Sequence, residues 1–460
     1  MKKFLLLLMC LSFFSMASAQ DYFPKNDGVK EENNNYTAFT NATIYVSPTQ
    51  VLSNGTLLIQ KGRVVSAGNN VTIPANSVVV DLKGKSIYPS FIESYSGFGI
   101  EKPKRAEGQG RSPQYEASRK GFYWNDHIMP ENDAITKFKY DKKKAEEMRK
   151  AGFGVVNTHL MDGIARGTGV LVALNDQGGA QDRILDDTSG QFFSFSKSVA
   201  TRQSYPTSLM GSMALLRQMY WDMDWYAKGN VDTKDRSLEA MIENRNLISF
   251  IEAGDKGNDL RADKISDKYT LNYVIVGGGD EYEAIESIKA TQASYIIPVN
   301  FPAAFDVSNP YQAKYVSLED MRQWNQAPTN LNVLEENGVT FSLTTYKLKK
   351  VSEFNSNVMK AIKYGLSKTK ALEALTTIPA QLLDKSSMLG TLETGKYANF
   401  LITSGDIFDK ETTLYENWVQ GVKHVINDKD QKNIGGKYNL STAGKTYNMS
   451  ISGKVSKPKI

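Results

Sequence analysis

Gly84-Lys85-Ser86-Ile87-Tyr88-Pro89-Ser90-Phe91-Ile92-Glu93 carries a glycine-led turn into a largely apolar run that ends on a carboxylate. Such a run behind a turn signal predicts a strand over residues 87–92. Outward along the chain, similar β-like runs occur at 153–160, 169–174, 247–251, 273–276, 295–299 and 339–343. Segments with helical spacing lie between them, at 131–150, 209–228, 237–245, 281–289 and 318–325. Strands alternating with helices are the pattern of a parallel α/β sheet. A barrel over residues 87–395 is the leading expectation. In the helix at 209–228, Leu209, Met213, Leu216, Met219, Tyr220 and Met223 share one face and read as core packing.

On the N-terminal side, short β-rich runs are separated by turns: Thr43-Ile44-Tyr45-Val46, the hairpin signal Ser53-Asn54-Gly55-Thr56, Leu57-Leu58-Ile59, Val64-Val65 and Val78-Val79-Val80. Beyond a further helical region at 358–384, β-like runs return at Ala398-Asn399-Phe400-Leu401-Ile402 and at 418–425. Sheet-like segments on both sides of an α/β block predict a discontinuous small domain built from 37–86 and 396–453, with 454–460 as a tail or linker.

The chain has 460 residues, 41% hydrophobic and 23% charged, enough for one large domain and a smaller one with a well-filled core. Its formal charge of +5 includes Lys2 and Lys3, and is too balanced to point to nucleic acid. Those lysines precede an apolar run over 4–16 and then Ala17-Ser18-Ala19, the pattern of a secretory signal peptide over 1–19. The run is shorter than the ~20 residues that a spanning helix needs. A periplasmic or secreted protein with no membrane span is expected, with 20–36 as a flexible lead-in. Cys10, the one cysteine, lies in the leader, which leaves no thiol for a disulfide or a metal.

Three stretches in order resemble the amidohydrolase superfamily, in its secreted imidazolonepropionase-like branch. They are the 84–93 segment quoted above, the residues Gly365-Leu366-Ser367 through Ala371-Leu372, Ala374-Leu375-Thr376 and Pro379-Ala380, and the turn Leu389-Gly390-Thr391-Leu392-Glu393-Thr394-Gly395-Lys396-Tyr397-Ala398-Asn399-Phe400. The resemblance implies a TIM-like (β/α)8 barrel with a small composite β-sandwich formed from both flanks, and a metal site whose first strand ends in His-x-His, since residues two apart on a strand project to one side and can grip one ion. The metal would lower the pKa of a bound water for attack on a polarised carbon.

The corresponding positions here are Tyr95 and Gly97. Where the family's fifth strand ends in histidine, residues 274–276 run into Gly277-Gly278-Gly279-Asp280; where its sixth does, the chain has Ile296-Ile297-Pro298-Val299. The last strand's aspartate position falls in Thr344-Thr345-Tyr346. The histidines are His127, His159 and His424, none at a matching place, and there is no Gly-x-Ser-x-Gly elbow for a serine nucleophile. No metal ligand and no cofactor are expected.

Several residues remain as site candidates. His159 with Asp162 ends a predicted barrel strand and is an acid/base candidate or a simple turn pair. Arg166, in Gly163-Ile164-Ala165-Arg166-Gly167-Thr168-Gly169, and Tyr95 are candidate ligand contacts. Gly277 and Gly278 permit close backbone approach by a ligand, while Asp280 and Glu281 read as an acid pair or as the cap of the next helix. His127 lies in a long loop where a barrel carries lids, and His424 reads as structural. The expectation is a non-catalytic scaffold or ligand-binding unit that accompanies an active amidohydrolase unit, downstream or separate. The alternatives are a small-molecule binder and a working hydrolase of C–N bonds with a non-standard site, the one reading under which zinc is expected.

Overall fold

Strand β1 (Thr37–Tyr45) pairs antiparallel with β2 (Val51–Gln60), which pairs in turn with β3 (Arg63–Gly68), while β4 (Val78–Asp81) and β5 (Ser86–Pro89) lie parallel to β1. This is a computed structural model, which describes residues 35–115, 122–229, 232–429, 434–454 and 457–459. The expected leader and nearly all of the lead-in lie outside the described residues.

The barrel follows, in β6 (Phe91–Ser96), β7 (Phe153–His159), β8 (Ala165–Ala173), the short β9 (Ile184–Asp186), β10 (Gln191–Ser194), β11 (Ser249–Glu252), β12 (Tyr273–Val276), β13 (Ser294–Pro298) and β14 (Phe341–Thr344). Eight of these stand in the order β14-β13-β12-β11-β10-β8-β7-β6, with β9 beside β8. The ring nearly closes where β14 returns to β6: Ser342 Oγ lies 3.0 Å from Ser94 Oγ, and Thr344 Oγ1 lies 3.1 Å from the Tyr95 carbonyl.

Alternation along the strands sorts the side chains. Ile92, Phe192, Phe250, Val274 and Ile296 pack together on one face. Their neighbours Phe193, Ile251, Ile275 and Ile297 pack with helix residues such as Leu216, Met219, Ile265 and Leu334. The helix Leu209–Ala227 buries Leu216, Met219, Tyr220 and Met223 as expected, whereas Leu209 in its first turn is exposed.

The fold departs from expectation in four ways. First, β8 runs antiparallel to both β7 and β10. Residues 160–164 turn back at once, with no crossover helix, so the start of β8 lies at the same end of the barrel as the finish of β7. Second, β10 is a strand that the sequence reading missed, so the runs near 247, 273 and 295 are the fifth, sixth and seventh strands, each one later than counted. Third, the helix Lys256–Tyr269 was not expected, and the region 131–150 forms two helices, Ala134–Lys137 and Lys142–Lys150.

The fourth departure concerns the flanks. β15 (Phe400–Thr403), β16 (Leu414–Val419) and β17 (Val422–Val425) join the N-terminal strands through antiparallel pairing of β15 with β5, giving one eight-stranded composite sheet. Its core gathers Phe39, Phe400 and Trp418, with ring centroids 5.0–5.4 Å apart. β18 (Gly436–Thr442), β19 (Lys445–Lys454) and β20 (Lys457–Lys459) make a separate three-stranded sheet. Residues up to 453 therefore do not all join the composite sheet, and the expected tail holds a paired strand. No helix among the described residues is long and apolar enough to cross a membrane.

Candidate functional site at the barrel mouth

Glu252 is the last residue of β11, and its carboxylate is the centre of a polar cluster. Arg166 Nη1 donates to Glu252 Oε2 at 2.9 Å and to the Tyr95 hydroxyl at 2.7 Å. Tyr95 Oη donates to the same Oε2 at 2.8 Å, and Tyr346 Oη donates to Oε1 at 2.7 Å. Arg166 also bonds the Gly163 carbonyl through Nε at 3.1 Å. The reversed β8 makes this possible: a parallel third strand would carry the residue at its start to the far end of the barrel. Burial works to raise the Glu252 carboxyl, but Arg166, Tyr346 and Tyr95 outweigh it and hold the group below the usual carboxylate range. Burial also pushes the Tyr95 hydroxyl well up, so it stays a neutral donor.

A second carboxylate closes the ring. Glu93 of β6 is fully buried and accepts from Thr344 Oγ1 at 2.5 Å, Thr345 N at 2.8 Å, Thr345 Oγ1 at 2.7 Å and Tyr95 N at 3.1 Å. It staples the first barrel strand to the end of the last one. Burial raises its carboxyl although these four bonds favour the ionised form.

The pairing expected of His159 and Asp162 does not form. His159 is buried, its ring stacked on Phe192 at 3.8 Å and tilted against Tyr95 at 4.7 Å, and neither ring nitrogen has a hydrogen-bond partner. Burial, with the nearby Arg166 charge, depresses its pKa well below normal, so it is a neutral packing ring. We expect His159→Phe to shift stability by no more than about 1 kcal/mol, read from urea unfolding. A loss above about 3 kcal/mol would show that the imidazole makes polar contacts that matter.

Asp162 instead accepts from Ser198 Oγ at 2.5 Å and Val199 N at 2.9 Å. His127 Nδ1 accepts from Ser198 N at 3.1 Å, which leaves its Nε2–H facing the Gln203 carbonyl at 3.2 Å. Both residues thus tie the loop after β6 and the turn after β7 to the loop after β10. His424, in β17, is driven down to about 4 by burial.

Asp280 and Glu281 do not form an acid pair aimed at the mouth. Glu281 is buried and folds back to accept from Gly278 N at 2.7 Å and Gly279 N at 3.0 Å, with Asn330 Nδ2 at 2.5 Å on its other oxygen. A Cβ at Gly277 would stand 2.2 Å from Glu281 Oε1, and one at Gly278 would stand 2.5 Å from the Gly254 carbonyl. The glycines therefore make room for their own loop and not for a ligand. Asp280 accepts from Lys256 N at 3.0 Å and pairs with Lys256 Nζ at 3.5 Å; it makes no side-chain cap bond.

Asp259 went unnoticed in the sequence. It is fully buried in the first turn of the helix Lys256–Tyr269, and neither carboxylate oxygen has a partner. Burial first, then the charges of Glu281, Asp280 and Asp255, raise it to about 9, opposed only partly by Lys347.

The divalent metal that the resemblance implies does not fit these residues. Glu252 is engaged by a guanidinium and two phenols, and Glu93 by threonines. At position 97 even a Cβ would meet Met161 Sδ at 3.0 Å, so a histidine there would need Met161 to move. Among the described residues, no group of three or more His, Cys, Asp or Glu side chains is placed to hold a metal ion.

Comparison with solved structures gives a match to an amidohydrolase from Thermotoga maritima, with a TM-score of 0.66 at 20% identity, covering 84% of this chain and 99% of that one. The fold is that of an amidohydrolase. A prolidase complexed with N-methylphosphonate-L-proline shares this amidohydrolase fold at a TM-score of 0.51 and 12% identity, over 85% of this chain and 99% of its own. A molinate hydrolase does so at 0.50 and 13%, over 86% and 95%. No protein-family model matches the chain, and no curated protein matches it by sequence. Tyr95 and Arg166, expected as ligand contacts, bond instead to Glu252 within the chain, and Glu252, Tyr346 and Glu93 were not among the expected site residues. A signal for Glu252 was present: it is a charged residue that directly ends the apolar run Phe250-Ile251.

Proposed function

We propose that this chain is an exported member of the amidohydrolase superfamily whose barrel no longer runs the family's metal-dependent hydrolysis. It serves as a non-catalytic scaffold or ligand-binding unit beside an active amidohydrolase, its composite sheet standing for the family's β-sandwich. The observation that carries this reading is Arg166. Its guanidinium joins Tyr95, at a family ligand position, to Glu252 at the barrel mouth, and so supplies internally the positive charge that a metal would bring. A cation held by its own side chain cannot present an activated water, and the several kcal/mol of Lewis-acid stabilisation have no replacement in the cluster.

Metal content tests this. After incubation with zinc and exhaustive dialysis, the purified chain is expected to retain less than about 0.1 equivalent. Retention near one equivalent, lost in Glu252→Gln, would overturn the proposal.

One observation favours ligand binding at the mouth over a purely structural role. An open cleft of about 400 Å³ is lined by Phe195, Lys197, Ser208, Glu252 and Asn258 among others, so a ligand here would be held chiefly by its polar groups. A thermal-shift screen should then find a stabilising compound whose effect is lost in Lys197→Ala. A C–N hydrolase built on His159, Asp162, Asp280 and Glu281 finds no support in their geometry, since each is engaged or enclosed away from the others.

A further inference from the structure

The segment between β13 and the short helix Asn330–Glu336 presents an apolar surface with no covering. Val307, Tyr311, Tyr315, Leu318, Met321 and Trp324 are all exposed, Tyr311 to 76% and Tyr315 to 89%. Within it, the helix Leu318–Gln326 buries none of its residues, unlike every other α-helix of eight or more residues described. A nine-residue helix is not stable in water by propensity, even with the Ser317/Asp320 capping box it carries. Helices of this length are held by packing an apolar face, and here Leu318, Met321 and Trp324 at three-residue steps remain 60%, 46% and 39% exposed.

We infer that this surface is covered by a second copy of the same chain, packed about a two-fold axis with the two Leu318–Gln326 helices antiparallel. Two features select that occupant. The exposed side chains amount to on the order of 700 Å², close to what one partner gives to a stable interface. The charges also complement themselves: Asp306, Glu319 and Asp320 stand among Lys314 and Arg322. Among the described residues Glu319 and Arg322 make no ion pair, and an isologous contact sets Glu319 of each copy against Arg322 of the other. An anionic bilayer would instead favour a basic excess, which the segment lacks.

The contact would also bear on the mouth. Gln323 and Ala327 line a cleft of about 360 Å³ with Gly254, Gly278 and Phe301, at the ends of β11, β12 and β13. A second copy on this surface covers that rim. The inference stands apart from the question of catalysis, because it uses none of the residues of the Arg166 cluster.

Sedimentation equilibrium of the purified chain at about 50 µM is expected to give a dimer. Leu318→Glu with Met321→Glu should give a monomer. Glu319→Arg alone should weaken the dimer at least about tenfold, and adding Arg322→Glu should restore it, which separates a broken interface from a damaged fold. A wild-type monomer at that concentration overturns the inference, as does a dimer that none of these substitutions weakens. A monomer that floats with phosphatidylglycerol vesicles would overturn it in favour of a lipid surface.

Discussion

Arg166→Met is expected to cost about 3–5 kcal/mol of folding stability at neutral pH, because it leaves Glu252 charged and largely buried with two phenols as its only donors. The pair itself adds little net stability: desolvating both ions consumes most of their attraction. The loss comes from stranding one ion. Arg166→Met together with Glu252→Met should therefore recover most of the stability of the wild type, and a double-mutant cycle in urea measures the difference. The sign of the pH dependence is fixed as well. In the wild type the Glu252 carboxyl is depressed, so its contribution is present above the ordinary carboxylate range and is lost as pH falls through the folded value. In Arg166→Met burial raises that pKa, and the penalty should shrink as acid protonates the group. A single substitution that costs under about 1 kcal/mol would mean that Arg166 is not the mouth's counter-ion.

Asp259→Asn is expected to stabilise the protein, increasingly so at higher pH. Asp259 has a folded pKa of about 9 against 3.8 in an open chain, so the folded state holds a proton that the unfolded state releases. Stability from this group is full below the unfolded value and falls as pH rises from about 4 through about 9, at up to about 1.4 kcal/mol per pH unit. Burial drives the shift, Glu281, Asp280 and Asp255 add to it, and Lys347 offsets part of it. The asparagine cannot ionise, and its unpartnered amide costs about 1–3 kcal/mol, so the gain should emerge only above roughly pH 6. Urea unfolding at several pH values reads the two slopes. Parallel curves for wild type and variant would show that Asp259 does not carry the proton.

The features readable from sequence were those written in local patterns. Long apolar runs such as the one that became β7, and the Met-rich face of the helix Leu209–Ala227, are fixed by burial and announce themselves. Gln191-Phe192-Phe193-Ser194 is only four residues long with a polar residue at each end, too short an apolar run to read as a strand. That omission shifted the strand count by one and drew attention to residues 277–281, where a histidine was sought, and away from Glu252. The helix Lys256–Tyr269 is highly polar, with little apolar content to signal it. The direction of β8 is set by spacing, since the five residues between β7 and β8 are too few for the crossover that a parallel pair needs. Arg166 was legible as a cation at the mouth, but its partner was not, because 86 residues separate the two.

The reversal of β8 also sets an order of assembly. Its contacts with β7 join residues 10 to 18 apart, from His159 with Gly169 to Val155 with Ala173, whereas the Glu93 to Thr344 seam waits for 251 residues to come together. Short loops close at much lower entropic cost, so the hairpin forms early and the seam late. Arg166 is thus held at the future mouth before the ring exists, and the barrel is completed around a cation already in position. Pulse-labelled amide exchange during refolding should show protection at Val156 and Leu171 ahead of Thr345.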